Sequence, residues 1–163
     1  MTAHITIRPA YSADAPLLLS MIRELAAYER MSDLLEVTEE RLQATLFCEH
    51  PCAESFIGLL DDEPAGFALF FHNYSTFLGR PGLYLEDLFV RPGLRRSGVG
   101  KALLLEVART ARERNCGRLE WTVLDWNTPA IEFYESCGAK PLSEWVGYRM
   151  DRPAMEAFVG GSS

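Results

Sequence analysis

A chain of 163 residues can bury roughly 70% of the surface its unfolded form exposes, so one compact domain is expected. Its residues are 48% hydrophobic and 24% charged, which excludes the disordered and collagen-like classes, and no run of about 18 apolar residues is present to span a bilayer. With 16 basic against 23 acidic residues and a net charge of −7, the surface repels polyanions and nucleic acid is not an expected partner.

The opening MTAHITIRPA enters a strand pattern without a signal-peptide apolar region, so a cytoplasmic protein is expected. Alternation over residues 4 to 9 predicts the first strand. From Ser12 to about Arg30, Leu17, Leu18, Met21, Ile22, Leu25, Ala26 and Tyr28 recur at helical spacing, and Pro16 is tolerated near the helix start. A second helix is predicted from Thr38, its cap, to about Cys48. Residues 54–60 and 65–72 predict two strands joined by a turn at Asp61-Asp62-Glu63-Pro64. A loop from Asn73 to Gly82 leads to a strand over 84–90. A helix over 101–115, a strand over 118–124, a short helix over 128–137 and a last strand over 145–150 follow, giving the order β-α-α-β-β-β-α-β-α-β. This predicts an α/β fold with a central mixed sheet flanked by helices. One domain is expected over residues 1–152, with a frayed tail over 153–163. Cys48, Cys52, Cys116 and Cys137 form no C-x-x-C pair and read as free thiols; no metal site is expected.

The segment Val90 to Lys101 lies between a predicted strand and helix. Gly98 and Gly100 allow the backbone close to a ligand, and the N–H groups of the helix start favour an anion. Arg91, Arg95, Arg96 and Lys101 gather positive charge in an otherwise acidic chain, which suits phosphates. The loop lacks the G-x-x-x-x-G-K-[ST] pattern of nucleoside triphosphate sites and the third glycine of a dinucleotide fingerprint.

Arg95-x-x-Gly98-x-Gly100 resembles the [QR]-x-x-G-x-[GA] signature of the GNAT acetyltransferases. IRPA, ELAAYE (24–29), YLEDLFV (84–90), RRSGVG (95–100) and VLDWNTPAIEFYESCGA (123–139) extend the resemblance to the diamine (spermidine/spermine) and thialysine acetyltransferases over nearly the whole chain. The resemblance implies a GNAT fold, mostly antiparallel in its sheet, and a homodimer; the lack of a long apolar run argues against a membrane partner. It also implies an acetyl-CoA-dependent N-acetyltransferase acting directly on a primary amine of a small cationic substrate, either a polyamine or a lysine- or thialysine-like amino acid.

The implied cofactor contacts are Leu88, Phe89 and Val90 with the pantetheine arm, and Arg95, Arg96, Ser97, Gly98, Val99, Gly100 and Lys101 with the pyrophosphate. Asn127, Thr128, Pro129 and Ala130 are implied contacts from the next strand-to-helix junction. Tyr28, Glu29, Glu86, Glu120, Trp121 and Thr122 fall where the family contacts its amine, and Tyr134 is the implied general acid. The chain departs from polyamine-acetylating members where Glu144 is followed by Trp145-Val146-Gly147-Tyr148 instead of a second acid, which leaves the choice of amine open. Two alternatives are a CoA-binding regulatory module without catalysis and an acetyltransferase of protein or peptide amines.

Freeing an aliphatic amine of pKa about 10.4 at pH 7 costs about 4 to 5 kcal/mol, so a carboxylate must take its proton. Glu86 and Asp87 are adjacent on a strand and point to opposite faces, so one of them faces the amine. The resemblance favours Glu86, with its pKa raised by apolar neighbours and acting through a water. His4, His50 and His72 form no recognisable arrangement with a serine or cysteine, which favours direct transfer over an acyl-enzyme.

Overall fold

The computed structural model describes residues 3–161. The elements are β1 (Ile5–Pro9), α1 (Ala15–Tyr28), α2 (Glu39–Leu46), β2 (Glu54–Leu60), β3 (Glu63–Ser75), β4 (Arg80–Val90), α3 (Val99–Glu113), β5 (Leu119–Glu120), α4 (Thr128–Ser136) and α5 (Arg152–Gly160). The strands form one sheet in the order β1-β2-β3-β4-β5. Its first four are antiparallel, and β5 joins β4 in parallel. No helix among the described residues is long and apolar enough to cross a membrane.

Local chemistry explains the element ends. Pro16 lies in the first turn of α1, where its missing N–H costs nothing. The Arg8 guanidinium donates to both Asp14 carboxylate oxygens at 2.7 and 2.8 Å, fastening the end of β1 to the entry of that helix. Thr38 Oγ1 accepts from the Arg41 N–H at 3.2 Å and caps α2. The β2–β3 turn is tighter than predicted. Asp61 and Asp62 both adopt positive φ, 49° and 67°, which matches a two-residue hairpin and lets β3 begin at Glu63. The loop expected at 73–82 shrinks likewise to residues 76–79, closed by Gly79 at φ 59°.

The chain divides into two compact units, Met1–Thr122 and Val123–Ser163. The first holds the whole sheet with α1, α2 and α3. Ile57, Phe67 and Phe89 project from the sheet into a core with Leu18, Leu19, Met21 and Leu42 of α1 and α2. Burying one such side chain contributes about 1.5–3 kcal/mol. The opposite sheet face receives α3. A Cβ at Gly58 would lie 2.7 Å from Val99 Cγ1, so a glycine there lets the helix sit close on the strand.

The second unit holds α4 and α5. Two expectations need correction there. The strand expected over 145–150 is absent, because a strand exists only as half of a ladder and the described residues offer this segment no partner. Residues 152–160 are helical where a frayed tail was expected. Asp151 accepts from the Ala154 N–H at 2.9 Å and Pro153 stands in the first turn, which together start that helix. The strand expected over 118–124 is reduced to Leu119–Glu120.

Candidate active site

The site begins with a break in the β3–β4 ladder. Asp87 pairs with Leu69, but the next pair is Leu85 with Phe70, so Glu86 is the extra residue of a β-bulge. Simple alternation would put residues 85 and 87 on one face. The bulge separates them: Leu85 stays with Phe70, while Asp87 turns with Leu69 toward the face covered by α1. Glu86 is left exposed at the surface.

The environment expected for Glu86 therefore belongs to Asp87. Burial, then repulsion from Glu86 and Glu29, pushes the Asp87 carboxyl up to about 7. Glu29, the cap residue at the C-terminal end of α1, is half-buried and is itself raised by burial. Asp87 thus feels two neighbouring carboxylates as well as its own burial, and Glu29 directly follows Tyr28, the last residue of α1. Asp87, not the Glu86 that the resemblance favours, is the carboxyl that the bulge buries. Its adjacency to Glu86 was visible, but the bulge that selects between them was not.

The outer edge of β4 is the second feature. β5 pairs only with Leu83 and Tyr84. From Leu85 through Leu88, Phe89 and Val90, β4 has no strand partner on that side among the described residues; apart from the Val90 carbonyl, which accepts from Arg95 Nε, an unladdered edge can serve an extended ligand. The edge leads directly into the loop. Gly98 has φ 96° and Arg96 has φ 66°, and left-handed residues just before a helix start turn the backbone in a way that suits an anion. Val99 donates to Ser97 Oγ at 3.4 Å as α3 begins, followed by Gly100 and Lys101 in its first turn.

The loop's cations differ in role. Arg91 donates to Glu24 Oε1 from Nη2 at 3.0 Å and to the Pro64 carbonyl from Nη1 at 2.9 Å, so it is engaged in fastening the loop to α1. Those bonds tie its guanidinium into the protein, a fastening role that the charge pattern did not suggest. Arg95 lies with Cζ 4.1 Å from the Tyr28 ring centroid and donates from Nε to the Val90 carbonyl at 3.2 Å. Arg96 and Lys101 are exposed.

The remaining predicted residues fall in two places. In the first unit, the Glu120 carboxylate accepts from Asn73 Nδ2 at 3.0 Å and pairs with Arg118 Nε at 2.8 Å. The Tyr84 hydroxyl donates to Thr122 Oγ1 at 3.4 Å, and Trp121 lies between them in sequence. In the second unit, Asn127 precedes α4, and its carbonyl accepts from the Ala130 and Ile131 N–H groups at 3.1 Å. Thr128 and Pro129 form the first turn. Tyr134 follows on the same helix, half-buried, with its ring 5.4 Å from that of Phe133.

Residues 19–139 match the acetyltransferase (GNAT) family. The chain is similar to a thialysine N-epsilon-acetyltransferase of Sus scrofa, at 37% identity over 97% of this chain and 99% of the relative. It is also similar to an L-ornithine N5-acetyltransferase of Arabidopsis thaliana, at 34% identity over 93% of this chain and 86% of the relative. Among solved structures, an integron cassette protein from the mobile metagenome of V. cholerae superposes with a TM-score of 0.79 at 27% identity, covering 98% of each chain.

Proposed function

The chain belongs to the acetyltransferase (GNAT) family, and from that premise we propose that it acetylates a primary amine of a small cationic substrate that carries a second amine, a polyamine or a lysine-like amino acid. It is an acetyl-CoA-dependent N-acetyltransferase of amines. The observation that carries the finer reading is the bulge at Glu86, which turns Asp87 toward Glu29 and concentrates negative charge beside the open edge of β4.

The open edge and the loop fit an extended, phosphate-bearing donor. The backbone of Leu88, Phe89 and Val90 would hold the pantetheine arm. The helix start from Ser97 to Lys101, with the Arg96 and Lys101 side chains, would hold the pyrophosphate. Asn127 to Ala130 keep the cofactor contacts that the resemblance gives them. When bound, acetyl-CoA supplies the acetyl group as a thioester.

The Glu86–Asp87 pair takes the proton of the incoming ammonium, with Asp87 the member poised near neutral pH. Glu29, Tyr28 and the Glu120–Thr122 segment line the amine side, and Glu29 receives the second positive charge. Tyr134 holds its proton at Oη as the general acid, the role the resemblance gives it. A cytoplasmic homodimer completes the reading. The free cysteines support the compartment, and the homodimer is what the family resemblance implies.

A panel of thialysine, lysine, ornithine, putrescine, spermidine and butylamine, assayed by release of CoA thiol, tests the substrate class. The amines with a second ammonium group should be turned over at least tenfold faster than butylamine at equal concentration. Equal turnover of butylamine would remove Glu29 from the amine pocket.

A further inference from the structure

Two arginines four residues apart on the loop, Arg91 and Arg95, meet two residues four apart on α1, Glu24 and Tyr28. Residues at that spacing share one helix face, so the last turns of α1 offer an acid and an aromatic ring in line. The acid holds the start of the loop through the Arg91 fork. The ring holds its middle: the Arg95 guanidinium lies 4.1 Å from the Tyr28 centroid while its Nε is bonded to the Val90 carbonyl at 3.2 Å. Immediately after this clamp, Arg96 adopts φ 66° and Gly98 φ 96°. A non-glycine residue in the left-handed region persists only where its surroundings hold it there.

We propose that Tyr28 is a positioning residue for the acetyl-CoA loop, acting through Arg95 to hold the backbone of Arg96 to Gly98 in its anion-binding conformation. This rests on the reading of that loop as the pyrophosphate site, and it gives Tyr28 a role separate from any contact with the amine. The ring, not the hydroxyl, does the holding, because a cation is attracted to the aromatic face.

Binding of CoA by calorimetry, without amine and without turnover, tests the proposal. Tyr28→Leu should weaken CoA binding about 3- to 10-fold, the range expected for losing a partly exposed cation–π contact, while Tyr28→Phe should stay within about twofold of the parent and so restore the ring's effect. In an Arg95→Ala background, Tyr28→Leu should add no further loss, since its effect runs through that guanidinium. Arg95→Lys, on an exposed loop where folding is not at stake, should weaken binding although the charge is kept, because an ammonium lacks the flat stacking face. Undiminished binding by Arg95→Lys, or by a Tyr28→Leu protein of unchanged melting temperature, overturns the proposal, as does an additive loss in the double variant. A parent protein that does not bind CoA would instead overturn the assignment of the loop.

Discussion

The carboxyl groups of Asp87, on β4, and Glu29, past the end of α1, repel one another across the face on which α1 packs, and that repulsion adds to burial and to Glu86 in holding Asp87 at about 7. The raised value carries a stability cost with a definite pH window. Asp87 starts from an ordinary value of 3.8, so between that pH and about 7 the folded chain binds a proton that the unfolded chain has lost, and this contribution to stability falls as pH rises. Asp87→Asn should therefore raise the melting temperature more at pH 8 than at pH 5. The same variant should lower kcat/KM by roughly 10²-fold and lose the rising limb near neutral pH. A melting-temperature gain that is equal at both values would mean that the native carboxyl is not the group responsible.

Glu86 and Asp87 can be separated by charge. Glu86→Gln removes one of the two negative neighbours that raise Asp87, so the acid limb of the kcat/KM profile should move to lower pH. An unmoved limb accompanied by a large loss of kcat would make Glu86 the sole proton acceptor. Profiles of both variants on one amine, over about pH 5 to 9, make the distinction.

Helices α1 to α4 and most strands were legible because their apolar spacing or alternation ran for a whole element, as in Leu18, Met21 and Leu25 of α1, whereas α5 was not. The loop was legible because glycines and cations cluster between a strand and a helix. What could not be read was set by partners remote in sequence. Val146 and Tyr148 alternate like a strand, yet the described residues give them no ladder. Arg91 read as a phosphate-suited cation, and its bond to Glu24, 67 residues away, was not visible. The bulge was hidden for the same reason: a register shift is a property of β3 and β4 together, and no residue type at Glu86 announces it.

The difference between fastening and ligand-binding cations has a measurable consequence. Arg91→Ala removes hydrogen bonds to Glu24 and Pro64, which should cost about 1 kcal/mol or somewhat more and lower the melting temperature by roughly 2–4 °C. The salt dependence of CoA binding should remain that of the parent. Arg96→Ala and Lys101→Ala should do the reverse, leaving the melting temperature within about 1 °C and flattening the salt dependence, because exposed charges that meet phosphate are screened while helping little to hold the fold. Calorimetric titrations at two salt concentrations on the three variants separate these cases, and a flattened dependence in Arg91→Ala would place that residue in the ligand set.

The proposed acid catalysis turns on the Tyr134 hydroxyl. Tyr134 stands on α4 after Pro129, which sets the first turn, and it reaches its position about one and a half turns further along. Its ring lies 5.4 Å from that of Phe133, and its backbone carbonyl accepts from Cys137 and Ala139 at 3.1 Å. Those contacts are made by the ring and the backbone, so Tyr134→Phe keeps all of them and removes only the hydroxyl. If that hydroxyl is the general acid, kcat should fall roughly 10²-fold while the melting temperature and CoA affinity hold. If the tyrosine only packs, turnover per folded molecule should be unchanged. A leaving group that needs no protonation sharpens the comparison: with an acyl donor whose thiol is more acidic than that of CoA, the deficit of the Phe variant should shrink, since the proton that Oη would have supplied is no longer required. A deficit of the same size with both donors would place the hydroxyl in substrate positioning instead of acid catalysis.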